Sequence, residues 1–126
     1  MLVFNVARKQ GGGVYAAGTT SVYLSNSKIV NNFAKSGAGA LATGTAKLTC
    51  VACNVSSNNA SVSGGGIGAA EGAQVFIDSS FVVWNVAAVH GGGIAVGGQA
   101  GITAFENSSV NFNSAKWGAG LSLGSN

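Results

Sequence analysis

Clusters of glycine begin at Gly11, Gly37, Gly64, Gly91 and Gly118, at intervals of 26, 27, 27 and 27 residues. A second pattern runs in step with them: an aliphatic residue, two variable residues, then Asn-x-Ala. Its copies are Leu2 with Asn5 and Ala7, Ile29 with Asn32 and Ala34, Val55 with Asn58 and Ala60, Val82 with Asn85 and Ala87, and Val110 with Asn113 and Ala115. Two independent patterns locked in phase mean one structural unit repeated about four and a half times, and a unit this short buries its apolar face only by stacking on its neighbours.

The residues inside the unit say which kind of stack. Only 7% of the chain is charged, 21 of its 126 residues are Gly and none is Pro. Long amphipathic helices need charged outer faces and tolerate Gly poorly, so helical repeats are excluded. Collagen needs Gly at every third residue, and disorder needs low hydropathy with high net charge; the chain has neither. Apolar residues instead alternate over short runs such as Val22-Tyr23-Leu24, Leu48-Thr49-Cys50 and Val75-Phe76-Ile77, the period of strands. Each repeat reads as three short strands, and each strand pairs with its counterpart one repeat along. The expected fold is all-β, a parallel β-helix of about four and a half coils of 26–28 residues.

Alignment of the copies predicts the register. Leu24, Cys50, Ile77 and Phe105 form one inward ladder, Ile29, Val55, Val82 and Val110 a second, and Val14, Ala40, Ile67 and Ile94 a third. One extra residue between Ile102 and Phe105 predicts a β-bulge. Asn5, Asn32, Asn58, Asn85 and Asn113 recur at a bend, where side-chain amides can bond to backbone and to one another, so a structural Asn ladder is expected. The repeats begin mid-coil at Leu2 and break off after Leu123. Residues 1–126 are therefore expected to be one uncapped β-helix segment of a longer repeat protein, whose partners are the neighbouring coils of that chain.

The run Gly11-Gly12-Gly13-Val14-Tyr15-Ala16, with Leu24-Ser25-Asn26-Ser27 and Ile29-Val30-Asn31-Asn32, resembles the repeats of chlamydial polymorphic outer-membrane proteins. More broadly it resembles right-handed parallel β-helix proteins of the pectate-lyase-like superfamily, over Leu2 to about Leu123. The resemblance implies right-handed coiling, a secreted or cell-surface location, and either an adhesin-like passenger or an enzyme acting on polysaccharide.

Charge points to few partners. Six Lys and Arg against three acids give a pI near 9.1, yet scattered cations do not make the dense basic patch that nucleic acid needs. The uncharged stretch from Ser79 to Phe105 carries Asn85, His90, Gln99 and two Gly clusters, which rejects a membrane-spanning helix. No signal peptide is visible, since Leu2-Val3-Phe4-Asn5 precedes Arg8-Lys9.

Candidate chemistry is sparse, and neither a cofactor nor a metal is expected. Cys50-Val51-Ala52-Cys53 has the spacing of a redox motif or half a zinc site, but it lies in a strand pattern, and Cys50 takes the inward place of Leu24 and Ile77; core filling is expected. Asp78 and Glu106 fall four residues before their aliphatics and should be neighbours on adjacent coils, as a general acid and base must be. They are the weak catalytic candidates, set against a reading as solvated carboxylates beside turns. Arg8, Lys9, Lys35 and Lys116 line one edge, broken by Ser61 and Ala88, as a stripe for acidic polysaccharide or lipid headgroups or as a solvated bend. Phe4, Trp84 and Phe112 precede their Asn; they read as a sugar-stacking platform or, by expectation, as inward packing at a corner. Asn54, Asn59 and Asn107 head glycosylation sequons. The expected function is a non-enzymatic structural or adhesin-like segment contacting polysaccharide or a host cell surface, with a polysaccharide lyase or glycoside hydrolase as the alternative.

Overall fold

The computed structural model describes residues 1–124. Among them there is no helix; short strands form four parallel sheets, each built from one strand per coil. In coil order, the first sheet holds Leu2–Val3, Lys28–Val30, Asn54–Ser56, Phe81–Val83 and Ser109–Asn111. The second holds Phe33–Ser36, Asn59–Ser63 and Val86–Ala87. The third holds Val14–Ala16, Ala40–Ala42, Ile67–Ala69, Ile94–Val96 and Leu121–Leu123, and the fourth Ser21–Ser25, Lys47–Val51, Gln74–Asp78 and Gly101–Glu106. The chain is a parallel β-solenoid. The second sheet corrects the expectation of three strands per coil.

Register follows the alignment of the repeats. Leu24 faces Cys50, Cys50 faces Ile77 and Ile77 faces Phe105. Ile29, Val55, Val82 and Val110 are consecutive partners, as are Val14, Ala40, Ile67 and Ile94. The bulge falls where expected, with Val75 facing Ile102 and Phe76 facing Ala104, so that Thr103 is the additional residue. Phe105 departs in one respect: its backbone keeps the ladder, but its side chain is 41% exposed, because it lies on the edge strand of the fourth sheet.

Two cores result. The larger gathers Ile29, Leu48, Val55, Ile67, Ile77 and Ile94 with their neighbours, each such side chain contributing about 1.5–3 kcal/mol by burial. The smaller consists of Ala34, Ala38, Ala60 and Ala87, flanked by Ala7 and Ala115. This narrow lobe explains the Ala of Asn-x-Ala, for the whole column is Ala.

Every coil turns four corners, each through left-handed backbone. Asn26, Ala52, Ser79 and Asn107 turn into the first sheet, and Phe4, Asn31, Ser57, Trp84 and Phe112 turn out of it. Gly11, Gly37, Gly64, Gly91 and Gly118 precede the third sheet, while Gly18, Gly44, Glu71 and Gly98 precede the fourth. The first glycine of each cluster supplies that backbone without strain. The third glycine serves another purpose. A Cβ on Gly66 would stand 2.6 Å from the Gly93 carbonyl oxygen and 3.0 Å from Asn85 Nδ2, and one on Gly93 would stand 2.9 Å from Asn113 Nδ2. The glycines of one coil lie against the ladder asparagine of the next, which is why the two sequence patterns keep phase.

Candidate functional site

Asparagine side chains form a continuous ladder through the stack. Asn58 Nδ2 donates to the Ile29 carbonyl at 2.8 Å and to Asn85 Oδ1 at 2.9 Å. Its Oδ1 accepts from the backbone N–H of Asn32 at 2.9 Å and from Asn32 Nδ2 at 3.0 Å. The same set recurs from Asn85 to Asn113 and to the Val55 carbonyl, and Asn5 reaches Asn32 in the same way. Asn32, Asn58 and Asn85 are fully buried. All four hydrogen-bonding positions of Asn58 are filled within the stack, leaving nothing for a ligand.

A second ladder stands at the corner entering the first sheet. Ser80 Oγ donates to the Asp78 carbonyl at 2.7 Å and accepts the Cys53 N–H at 2.9 Å, while Ser108 Oγ accepts the Ser80 N–H at 3.0 Å and donates to the Glu106 carbonyl at 2.6 Å. Ser27 Oγ donates to the Ser25 carbonyl at 2.9 Å. Cys53 holds the equivalent place, its thiol donating to the Val51 and Leu24 carbonyls at 3.4 and 3.5 Å. The signal was present in the sequence, since Ser27, Cys53, Ser80 and Ser108 each stand two residues before their aliphatic. Both cysteines are free and buried. Cys50 fills the core between Leu24 and Ile77, and the neighbouring Cys53 thiol, with burial second, pushes its thiol pKa well above the ordinary range.

The surface candidates fall as follows. Asp78 and Glu106 are direct partners on adjacent strands; Asp78 is half-buried and accepts a hydrogen bond from Ser79 Oγ at 2.9 Å, and Glu106 is exposed. Arg8, Lys9, Lys35 and Lys116 are all exposed, with Lys116 Nζ 5.7 Å from the centre of the Trp117 ring. Exposed Ser61 and Ala88 separate them, so among the described residues these four cations form no continuous stripe. Phe4, Trp84 and Phe112 overturn the expectation of inward packing: they are 74%, 60% and 68% exposed. The Asn that follows each of them belongs to the ladder, and the left-handed corner turns the preceding side chain outward. Trp84 and Phe112 stack with ring centres 4.6 Å apart and planes 10° from parallel.

These rings stand at one side of the outer face of the first sheet. At the other side, outward positions form the column Lys28, Asn54, Phe81 and Ser109. Phe81 is 57% exposed. No family model, no curated protein and no solved structure matches this chain. Among the described residues, no helix is long and apolar enough to cross a membrane.

Proposed function

We propose that this chain is a non-enzymatic structural or adhesin-like segment of a secreted or cell-surface β-helix protein. The observation that carries the reading is the division of labour at the first sheet. Its interior amides bond to one another, while Phe81, Trp84 and Phe112 are held out to solvent on adjacent coils of a rigid scaffold. Exposed aromatics on a stiff, repetitive frame present a contact surface and supply no reactive group. The resemblance of the glycine and Asn repeats to those of polymorphic outer-membrane proteins supports the same reading and the surface location.

The second reading, part of a polysaccharide lyase or glycoside hydrolase, draws on the pairing of Asp78 with Glu106. One experiment separates the two. The intact protein is incubated with neutral and acidic polysaccharides beside the double variant Asp78→Asn, Glu106→Gln. Intact polysaccharide in both samples is the expected result; cleavage that disappears in the variant overturns the non-enzymatic reading.

A further inference from the structure

The charged side chains are not spread evenly round the coil. Arg8, Lys9, Lys35 and Lys116 stand on or beside the second sheet, and all four are exposed. The three acids of the chain, Glu71, Asp78 and Glu106, lie on the fourth sheet or at the corner entering it, with Lys47 on the same sheet and Lys28 on the first. In either direction round the coil, the first or the third sheet separates the second from the fourth. The second sheet therefore meets solvent with four cations and, among the described residues, no acid, while the rest of the molecule carries two cations against three acids.

Exposed apolar side chains collect on that same side. Phe4, Trp84 and Phe112 project from the corner leading into the second sheet. On the sheet itself the outward column is Val6, Phe33, Asn59, Val86 and Ser114, of which Val6 is 74% exposed. Trp117, also exposed, lies beside Lys116. Columns rise about 4.8 Å per coil, so Phe4 and Phe112 stand roughly 19 Å apart along one rigid edge of the stack.

Cations and bare apolar groups on one face select the partner. A soluble polyanion would engage the cations but has no apolar layer to receive Val6, Val86 and the projecting rings. An anionic bilayer offers both: an interface that takes aromatic rings, and above it charged headgroups within reach of Lys and Arg extended along their own stems. A fluid headgroup layer also needs no unbroken stripe, because each Lys or Arg near an anionic surface contributes on its own. The interruption at Ser61 and Ala88 would spoil a site for a polymer of fixed pitch and costs a lipid surface little.

We infer that the side of the second sheet is a docking face for an anionic lipid surface. Phe4, Trp84 and Phe112 enter the interface, while Arg8, Lys9, Lys35 and Lys116 pair with headgroups. The inference rests on the contact-surface reading above and names the surface that is met.

Trp84 and Trp117 are the only tryptophans of the chain and both are exposed on this side, so their fluorescence reports docking directly. The intact protein is mixed with vesicles of equimolar phosphatidylcholine and phosphatidylserine, or of phosphatidylcholine alone, and bound protein is recovered by flotation. A blue shift of the tryptophan emission and flotation with the mixed vesicles, both weakened by salt, are expected. The triple variant Arg8→Gln, Lys9→Gln, Lys35→Gln should weaken partitioning about a hundredfold, the product of roughly fivefold per cation. Phe112→Ser, which keeps both tryptophans, should weaken it about tenfold, the order of one ring returned to water. Lys47→Gln, on the fourth sheet, should leave it unchanged. The altered residues are all exposed, so each variant keeps the fold, and unchanged circular dichroism verifies this. Absence of a blue shift with mixed vesicles, equal partitioning onto phosphatidylcholine alone, or a triple variant no weaker than Lys47→Gln overturns the docking face. Binding to heparin without flotation on vesicles also overturns it and gives the cations to a soluble polyanion. All of these outcomes leave the non-enzymatic reading intact, since that reading falls only to polysaccharide cleavage.

Discussion

Two neighbouring columns at the corner leaving the first sheet make the same backbone turn and obey opposite rules. The inner column is Asn5, Asn32, Asn58, Asn85 and Asn113, identical in every coil. The column one residue earlier is Phe4, Asn31, Ser57, Trp84 and Phe112, with φ between 55° and 58° throughout and almost no chemical similarity. Backbone geometry is therefore not what keeps the inner column constant. Each buried ladder residue, Asn32, Asn58 and Asn85, is donor and acceptor to the coils on either side, so a change in one of these rungs strands groups in two others. The outer side chains point to solvent and answer to nothing inside the molecule.

The largest effect should come from breaking the inner column. Asn58→Leu removes the acceptor of the Asn32 N–H and Asn32 Nδ2, and the donor to the Ile29 carbonyl and Asn85 Oδ1, all in a buried setting. Each stranded buried group costs about 1–3 kcal/mol, so a loss of about 3 kcal/mol or more is expected in urea unfolding monitored by circular dichroism. Gly66→Ala, which presses a methyl group toward Asn85 Nδ2 and the Gly93 carbonyl, should cost about 1–3 kcal/mol by overpacking. If Asn58→Leu costs no more than a surface substitution such as Asn59→Leu, the inner column has no special standing.

The same contrast explains which parts of the molecule could be read in the sequence. The three apolar ladders were legible because one interior environment, imposed on every coil, selects the same residue class each time. The fourth strand of each coil was not, because Phe33–Ser36, Asn59–Ser63 and Val86–Ala87 point only Ala into their lobe, and Ala carries little strand signal. The serine ladder was spelled out at Ser27, Ser80 and Ser108 but hidden by Cys53, whose pairing with Cys50 invited a redox interpretation. Hydrophobicity suggested that Trp84 and Phe112 pack inward, whereas the left-handed corner sends them outward, a reversal no residue pattern announces. Lys28, Asn54 and Phe81 each stand immediately before the aliphatic of their repeat, so the alignment already places them in one column, but their unlike chemistry offered no reason to single it out.

The serine ladder offers an intermediate effect with its own control. Ser80→Ala leaves the buried Cys53 N–H without an acceptor, for a cost of about 1–3 kcal/mol. Cys53→Ser instead restores the residue found at the other three rungs, and a hydroxyl reaches the Val51 carbonyl as a better donor than the thiol. Its thermal midpoint should match or exceed that of the parent protein. A Cys53→Ser variant as damaged as Ser80→Ala would show that Cys53 is held by its pairing with Cys50 and not by the ladder.

The smallest effects belong to the outer column, and there the sign matters more than the size. Ser57 occupies left-handed backbone at about 1–2 kcal/mol above its preferred conformation, and Gly removes that strain while adding about 0.5–1 kcal/mol of unfolded-state entropy. Ser57→Gly should therefore stabilise the protein by about 0.5–1 kcal/mol. Trp84→Gly gains the same relief but loses the stacked contact with Phe112, of about 0.5–1.5 kcal/mol, and should come out near neutral. Parallel urea titrations of the two variants decide the matter. A strong loss in Trp84→Gly would mean that the ring is part of the packing, and the outer column would join the inner one as structure. Near-neutrality, with Ser57→Gly more stable than the parent, would mean that strained corners are occupied by large rings without benefit to the fold, which is expected where a side chain is kept for what it meets outside.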